Sequence, residues 1–163
     1  MDQAELFNQI LATWTRHQIG LIKLLDGIPA AGFLAKPTAS RGRDVSRQLF
    51  HLNRVREGWL HMHATGERPK LPRADKGPAP KKADLKKALV ASGKSVHAFL
   101  AAALAGEAKP RMFAGNAVRW MGYLISHESH HRGQILLALK QSGFKLPEKV
   151  RIQGVWGTWI SGR

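Results

Sequence analysis

The stretch SHESHHRGQ, residues 126–134, places three histidines within five positions. From His127 to His131 it satisfies H-E-x-x-H, the helical signature in which two histidines bind zinc and the glutamate serves as general base. Two histidines one helical turn apart have Cβ atoms about 6 Å apart, so their imidazoles can converge on one cation. The spacing therefore indicates a metal site, and the surrounding residues must decide its kind.

The residues that follow the motif argue against a zinc protease. Metzincins continue as H-E-x-x-H-x-x-G-x-x-H, but Gln134 and Leu137 occupy the glycine and third-histidine positions. Gluzincins need a downstream glutamate on a second helix, and Glu148 stands beside Pro147 in the tail. The match to the zinc-protease motif H-E-x-x-H is therefore interpreted as a coincidence. Glu128 remains a candidate general base, although a structural or supporting role beside the metal is favoured.

A predicted helix over about 117–141 must position these histidines. On a wheel at 100° per residue, His127 and His131 fall inside an apolar stripe roughly 80° wide. His130 lies on a flank, roughly 100° from the middle of that stripe, and is left out, whereas Glu128 lies at the edge of the stripe. Two buried imidazoles each need hydrogen-bond partners and are costly to charge, so a metal would satisfy both. The alternative is a pair of hydrogen-bonded core histidines.

A divalent transition metal needs at least a third ligand. The remaining histidines are His17, His51, His61, His63 and His97. Spacing favours His51, which lies at the edge of the apolar stripe of another predicted helix and can point between neighbouring helices. The residues alone leave the other histidines open. Three ligands would leave coordination positions for water or substrate, as in catalytic sites.

Four amphipathic segments predict an all-α fold, a four-helix bundle. Their expected ranges are about 3–25, 44–64, 82–105 and 117–141. Asp2 and Asp44 are favourable N-caps, whereas Gly27 and Gly143 mark helix ends.

The linkers and the tail are also readable. Residues 66–82, GERPKLPRADKGPAPKK, and residues 105–116 are predicted to be exposed loops. The last residues, LPEKVRIQGVWGTWISGR, contain Pro147 and three glycines, so we expect an irregular tail packed on the bundle through Trp156 and Trp159. We interpret residues 1–163 as one domain.

Composition narrows the function classes. The chain has no cysteine, which excludes thiolate ligands, a thiol nucleophile and disulfides. With 26 Lys+Arg against 11 Asp+Glu, the formal net charge is +15, which attracts anions. The basic residues are spread along the chain without a nucleic-acid-binding motif, so nucleic acid is not the expected partner. We find neither a membrane span nor a secretory signal pattern, and expect a cytoplasmic protein.

The segment SGKS, residues 92–95, resembles the end of a phosphate-binding P-loop but fails as one. The first glycine of that motif should stand at position 88, which is Ala88, and no strand precedes it. We therefore interpret the segment as part of a continuous amphipathic helix.

Three segments carry a family resemblance. YLISHESHHRGQILLALKQSGFKLPEKV strongly resembles the last bundle helix of the DinB-like superfamily, which includes the bacillithiol and mycothiol transferase folds. LFHLNRVREGWL is similar to its second-helix motif, and QGVWGTW to the tryptophan-containing ending of one subgroup. That subgroup often has an acidic residue between its tryptophans, whereas Gly157 and Thr158 stand there in this chain.

The resemblance implies a four-helix bundle, a divalent metal held by His51, His127 and His131, and a homodimer built from bundle helices. In characterised relatives the metal activates a low-molecular-weight thiol for transfer or isomerisation. We therefore expect a metalloenzyme with zinc or nickel, acting on a small, anionic thiol as an S-transferase, or acting as a hydrolase. The rival interpretations are a non-catalytic metal-binding or stress-response dimer and, less favoured, a nucleic-acid-binding protein.

Overall fold

The computed structural model describes residues 2–38, 42–71 and 77–161. Four long helices, α1 to α4, span Gln3–Gly27, Val45–Thr65, Lys82–Leu104 and Ala117–Gln141. A short helix α5, Gly157–Ile160, follows a π-helical segment at Lys149–Trp156. Turns of 3-10 helix lie at Ala30–Leu34 and Phe113–Gly115. These ranges contain no strand, so the predicted all-α fold is confirmed, and the long helices agree with prediction to within two residues.

The helix ends follow the predicted caps. The side chains of Asp2 and Asp44 each accept a hydrogen bond of 2.8 Å from the backbone N–H three residues further on. Asn116 caps α4 in the same way, again at 2.8 Å. At the carboxyl end of α4, Gly143 adopts a φ of +81°, a left-handed conformation that favours glycine. These caps fix where α2 and α4 begin, and so which residues of each helix face the interior.

The four long helices pack around an interior that has two apolar clusters. One cluster contains Leu52 and Ile135, and the other contains Leu124 and Trp120. Between Leu124 and Ile135 on α4 stands Glu128, which is buried together with residues of α1 and α2. The core is therefore divided by a polar layer, and this layer lies at the level of the histidine motif.

The tail differs from the prediction. It is helical rather than irregular, and Trp156 is 49% exposed, so this residue does not anchor it. Val155 and Thr158 are each 1% exposed and provide the buried contacts, while the Trp159 ring lies 6.1 Å from that of His17. The reason is periodicity: on a helical tail, Val155, Thr158 and Trp159 share one face and Trp156 points away.

The described parts of the predicted loop 66–82 are mostly exposed, and residues 72–76 lie outside the described ranges. The single-domain interpretation stays a prediction. Across the described helices, none combines the length and the apolar character that a bilayer crossing requires.

Candidate metal centre

The three predicted ligands come together in the structure. Helix α2 contributes His51, and α4 contributes His127 and His131 one turn apart. The ring centroids are separated by 5.2 Å for His51 and His127, 4.9 Å for His51 and His131, and 4.8 Å for His127 and His131. One nitrogen from each ring lies within 4.8 Å of the other two. The site is thus built by one position on α2 facing two on α4.

The donor set fits a divalent transition metal. Zn–N bonds of about 2.0–2.1 Å place tetrahedral ligand atoms about 3.4 Å apart. The ligand atoms of the triad lie within 4.8 Å of one another, a separation that rotation of the imidazoles can reduce to the coordination distance. Nδ1 of His127 is buried without a hydrogen-bond partner among the described residues. A buried, unpaired imidazole nitrogen carries a desolvation cost that binding a cation would remove.

The electrostatics keep the imidazoles neutral. Burial, followed by the charge of Arg43, lowers the pKa of His51 to about 4. Burial and the neighbouring histidines likewise lower the pKa of His131 to about 4. Burial also lowers the pKa of His127, despite the opposing charge of Glu128. Since only neutral imidazole can bind a metal, these shifts reduce competition from protons.

Gln48 of α2 orients one of the imidazoles. Nδ1–H of His131 donates to Oε1 of Gln48 at 3.3 Å, and both residues are buried. With the proton held on Nδ1, the lone pair of Nε2 is free for a cation. Gln48 precedes His51 by one turn of α2. One face of α2 therefore carries both the predicted ligand His51 and the residue that orients His131. This role was not predicted from the sequence, although the three-residue spacing between Gln48 and His51 on one helix face offered a signal.

Glu128 has a different environment from the three histidines. It is 2% exposed and lies fully within the interior, whereas the wheel placed it at the edge of the apolar stripe. The buried face of α4 is wider than predicted because Met121 and Leu139 are also buried. The carboxylate accepts hydrogen bonds from Arg56 at 2.6 Å and pairs with Nε2 of His17 at 2.8 Å.

This pairing determines the charge of Glu128. Burial alone would raise the pKa of the carboxyl, but the Arg56 guanidinium and the His17 hydrogen bond outweigh it and lower the pKa to about 2. Arg56 is itself 0% exposed and also donates to Oε1 of Gln18 at 2.7 Å. Glu128 is therefore a buried anion held by two partners, which favours a structural role over that of a general base.

The other histidines do not join the triad. His17 belongs to the buried ion network, and His63 lies among aromatic rings. His61 is exposed, and His97 on α3 is outside the group. His130 is exposed and lies against the side chain of Gln134, consistent with its flank position on the wheel.

An aromatic wall borders the site on the side of His127. The ring of Tyr123 stacks on that of His127, with centroids 5.8 Å apart and an interplanar angle of 18°. The ring centroids of Trp59 and Phe113 lie 5.9 and 5.2 Å from that of Tyr123. These rings cover one side of the triad with apolar surface.

On the opposite side a cavity of about 430 Å³ reaches His131. Its polar lining includes Arg43, Gln48 and Gln134, and its rim is completed by Pro37 and Leu137. A role of Arg43 at this site was not predicted from the sequence, because residue 43 precedes the N-cap of α2, where helical periodicity gives no signal. The cavity thus gives a small molecule access to one member of the triad, His131.

The fold is all-α, and two of its long helices bring three neutral histidines together beside a cavity. The protein is therefore a helical protein with a potential metal centre. The chain belongs to the DinB family, whose sequence profile matches residues 1–150. The resemblance found in the sequence is therefore confirmed. A comparison with curated proteins found no match.

Proposed function

We propose that this DinB-family protein is a divalent-metal-dependent enzyme whose metal, zinc or nickel, is held by His51, His127 and His131. The observation that carries the proposal is the convergence of three imidazoles beside a cavity that opens onto one of them. Imidazole ligands suit both ions. A purely structural zinc site is normally closed by four protein ligands, whereas a catalytic one keeps a position open.

The chemistry follows from the three-ligand set. A divalent cation held there would stabilise the anionic form of a thiol or water, and so make the nucleophile available near neutral pH. The protein contributes neutral ligands, a fixed imidazole orientation through Gln48, and the ring of Tyr123 stacked on that of His127. The buried pair of Arg56 and Glu128 joins α2 to α4 and holds the two ligand-bearing helices in register.

The reaction we favour is transfer of a low-molecular-weight thiol to an electrophile, with hydrolysis as the second possibility. Support comes from family membership and from a cavity of a size that takes a small molecule. The net charge of +15 favours an anionic substrate. We further propose that the protein acts in the cytoplasm, a reducing compartment with which the lack of cysteine is compatible. We also propose that it forms a homodimer through its bundle helices.

A paired screen tests the enzymatic role. Zinc- and nickel-loaded protein is incubated with small thiols and electrophiles, and in parallel with ester and amide substrates. Turnover in the wild type should be lost in His127→Ala and retained in His130→Ala, which removes a neighbouring histidine outside the triad. Turnover that survives in His127→Ala would contradict a role of the triad in catalysis. Metal binding without any turnover would favour the non-catalytic alternative.

A further inference from the structure

We propose that Arg43 forms an anion subsite beside the histidine triad, and that it binds a carboxylate carried by the substrate. This inference rests on the proposed function, since it names the chemical class of the molecule that the triad acts on. Arg43 would determine specificity without being a metal ligand.

The first observation is the position of Arg43 on the cavity wall. The residue stands immediately before the N-cap of α2, and it lines the same cavity of about 430 Å³ as His131. The two amide side chains of Gln48 and Gln134 line this cavity as well. A ligand in the cavity would therefore meet a cation, two amides and one imidazole of the triad.

The second observation is that the guanidinium of Arg43 lacks a counterion. Its Nε is buried without a hydrogen-bond partner, and no carboxylate in the described ranges forms an ion pair with it. Neighbouring arginines have partners for at least part of the guanidinium: Arg47 pairs with the carboxylate of Asp44. Arg54 also has an unpaired buried Nε, but its Nη2 donates to the backbone oxygen of Leu71 at 3.1 Å. Arg43 is thus a partly buried cation without a counterion, and it lines the cavity.

The third observation is electrostatic. Arg43 lines the same cavity as His131, so the charge of its guanidinium lies beside the triad. A divalent cation at the triad would add further positive charge near Arg43. An anion placed between them is attracted by both, and it would remove the cost of the unpaired donors.

The guanidinium geometry selects the type of anion. Its planar fork of N–H donors matches a carboxylate through two parallel hydrogen bonds. A thiol that also carries a carboxylate would place its sulfur toward the triad and its carboxylate on Arg43. The structure therefore points to small mercapto acids, rather than neutral thiols, as the substrate class.

The test uses two thiols of the same size that differ in charge. The full-length protein is loaded with Co²⁺, whose visible absorption reports on ligands at the triad, and is titrated with 3-mercaptopropionate or 3-mercaptopropionamide. The wild type should bind the acid about tenfold more tightly than the amide, because a charge-assisted pair with Arg43 forms only with the acid. In Arg43→Gln this preference should fall to about twofold or less, with affinity for the amide unchanged. Arg43→Lys should restore part of it.

Arg54→Gln is the matched control. Arg54 also lowers the pKa of His51 through its charge, but it does not line the cavity. It should keep the wild-type preference. An unchanged preference in Arg43→Gln, or an equal loss in Arg54→Gln, overturns the subsite while leaving the metal site intact. Failure of the wild type to bind Co²⁺ at all would overturn the proposed function, and the subsite with it.

Discussion

Nε and Nη2 of Arg56 each donate a hydrogen bond of 2.6 Å to the carboxylate of Glu128, in a layer closed to solvent between two apolar clusters. This bidentate pair connects α2 to α4 and lies beside the face of α4 that carries His127 and His131. His17 adds a link from α1. Three helices are therefore held together at the level of the triad by one buried carboxylate.

Breaking this pair from one side should be strongly destabilising. Arg56→Met leaves Glu128 buried opposite an apolar side chain, and we expect the free energy of unfolding to fall by about 3–5 kcal/mol, measured by urea denaturation. Asp26→Asn is the control, because it breaks the exposed pair with Lys86 and should cost at most about 1 kcal/mol. Similar losses in the two variants would contradict the structural role of the buried pair.

The metal-free protein should lose stability as the pH falls from about 6.5 to about 4. The pKa of His51 and of His131 is lowered from 6.5 to about 4 in the folded protein, so the unfolded chain takes up protons first. Their stabilising contribution is present above pH 6.5 and disappears as the pH reaches the folded-state pKa values. Urea midpoints measured with a chelator across this range provide the test.

The matched variant for this pH dependence is the double replacement His51→Gln and His131→Gln, which should flatten the profile between pH 6.5 and 4. His61→Gln, at an exposed position, should keep the wild-type slope. Parallel profiles for the wild type and the double variant would show that the triad is not the source of the dependence.

A side chain at Gly93 of α3 is expected to displace the side chain of Gln18. A methyl group there would lie 2.5 Å from Cδ of Gln18, which supports Arg56, while the Gly93 carbonyl accepts from Nε1 of Trp14 at 2.9 Å. Gly93→Ala should therefore destabilise the protein by about 1–3 kcal/mol. Gly133→Ala in α4 meets no atom within 4 Å and should stabilise it by about 0.5–1 kcal/mol. Thermal unfolding of both variants compares them; shifts of the same sign would contradict the packing at Gly93.

The tail should depend on Val155 rather than on Trp156. Val155→Ala removes buried methyl groups from the core and should cost about 1–3 kcal/mol. Trp156→Ala affects a half-exposed ring with Arg132 above it at 5.3 Å, and should cost less than about 1 kcal/mol. Chemical denaturation gives the free energy of unfolding of the two variants. A larger loss for Trp156→Ala than for Val155→Ala would support Trp156 as the anchor of the tail, as predicted from the sequence.

Local patterns predicted most of the fold and part of the site. Caps and helical periodicity act within a few residues, so Asp44 and the pair of His127 and His131 could be placed directly from the sequence. The three-residue spacing of Gln48 and His51 is typical of one helix face. The choice of His51 as the third ligand, however, depended on the family resemblance. Long-range pairing has no local signature, which is why the counterion of Glu128 could not be predicted.

The remaining differences have the same origin. Arg43 precedes α2, where helical periodicity gives no signal, and the wheel placed Glu128 at the stripe's edge because the buried face of α4 is wider than the predicted stripe. The tail was predicted irregular from its glycines and proline, but burial of Val155 and Thr158 against the bundle outweighed weak helix propensity.

The metal content of the untagged protein tests the central claim most directly. Wild type, His131→Ala and His130→Ala are purified in parallel and analysed for bound zinc and nickel by elemental analysis. We expect about one ion per chain in the wild type and in His130→Ala, and a large loss in His131→Ala. The reason is that His131 belongs to the triad, whereas His130 does not. Equal metal content in the wild type and His131→Ala would contradict the proposed site.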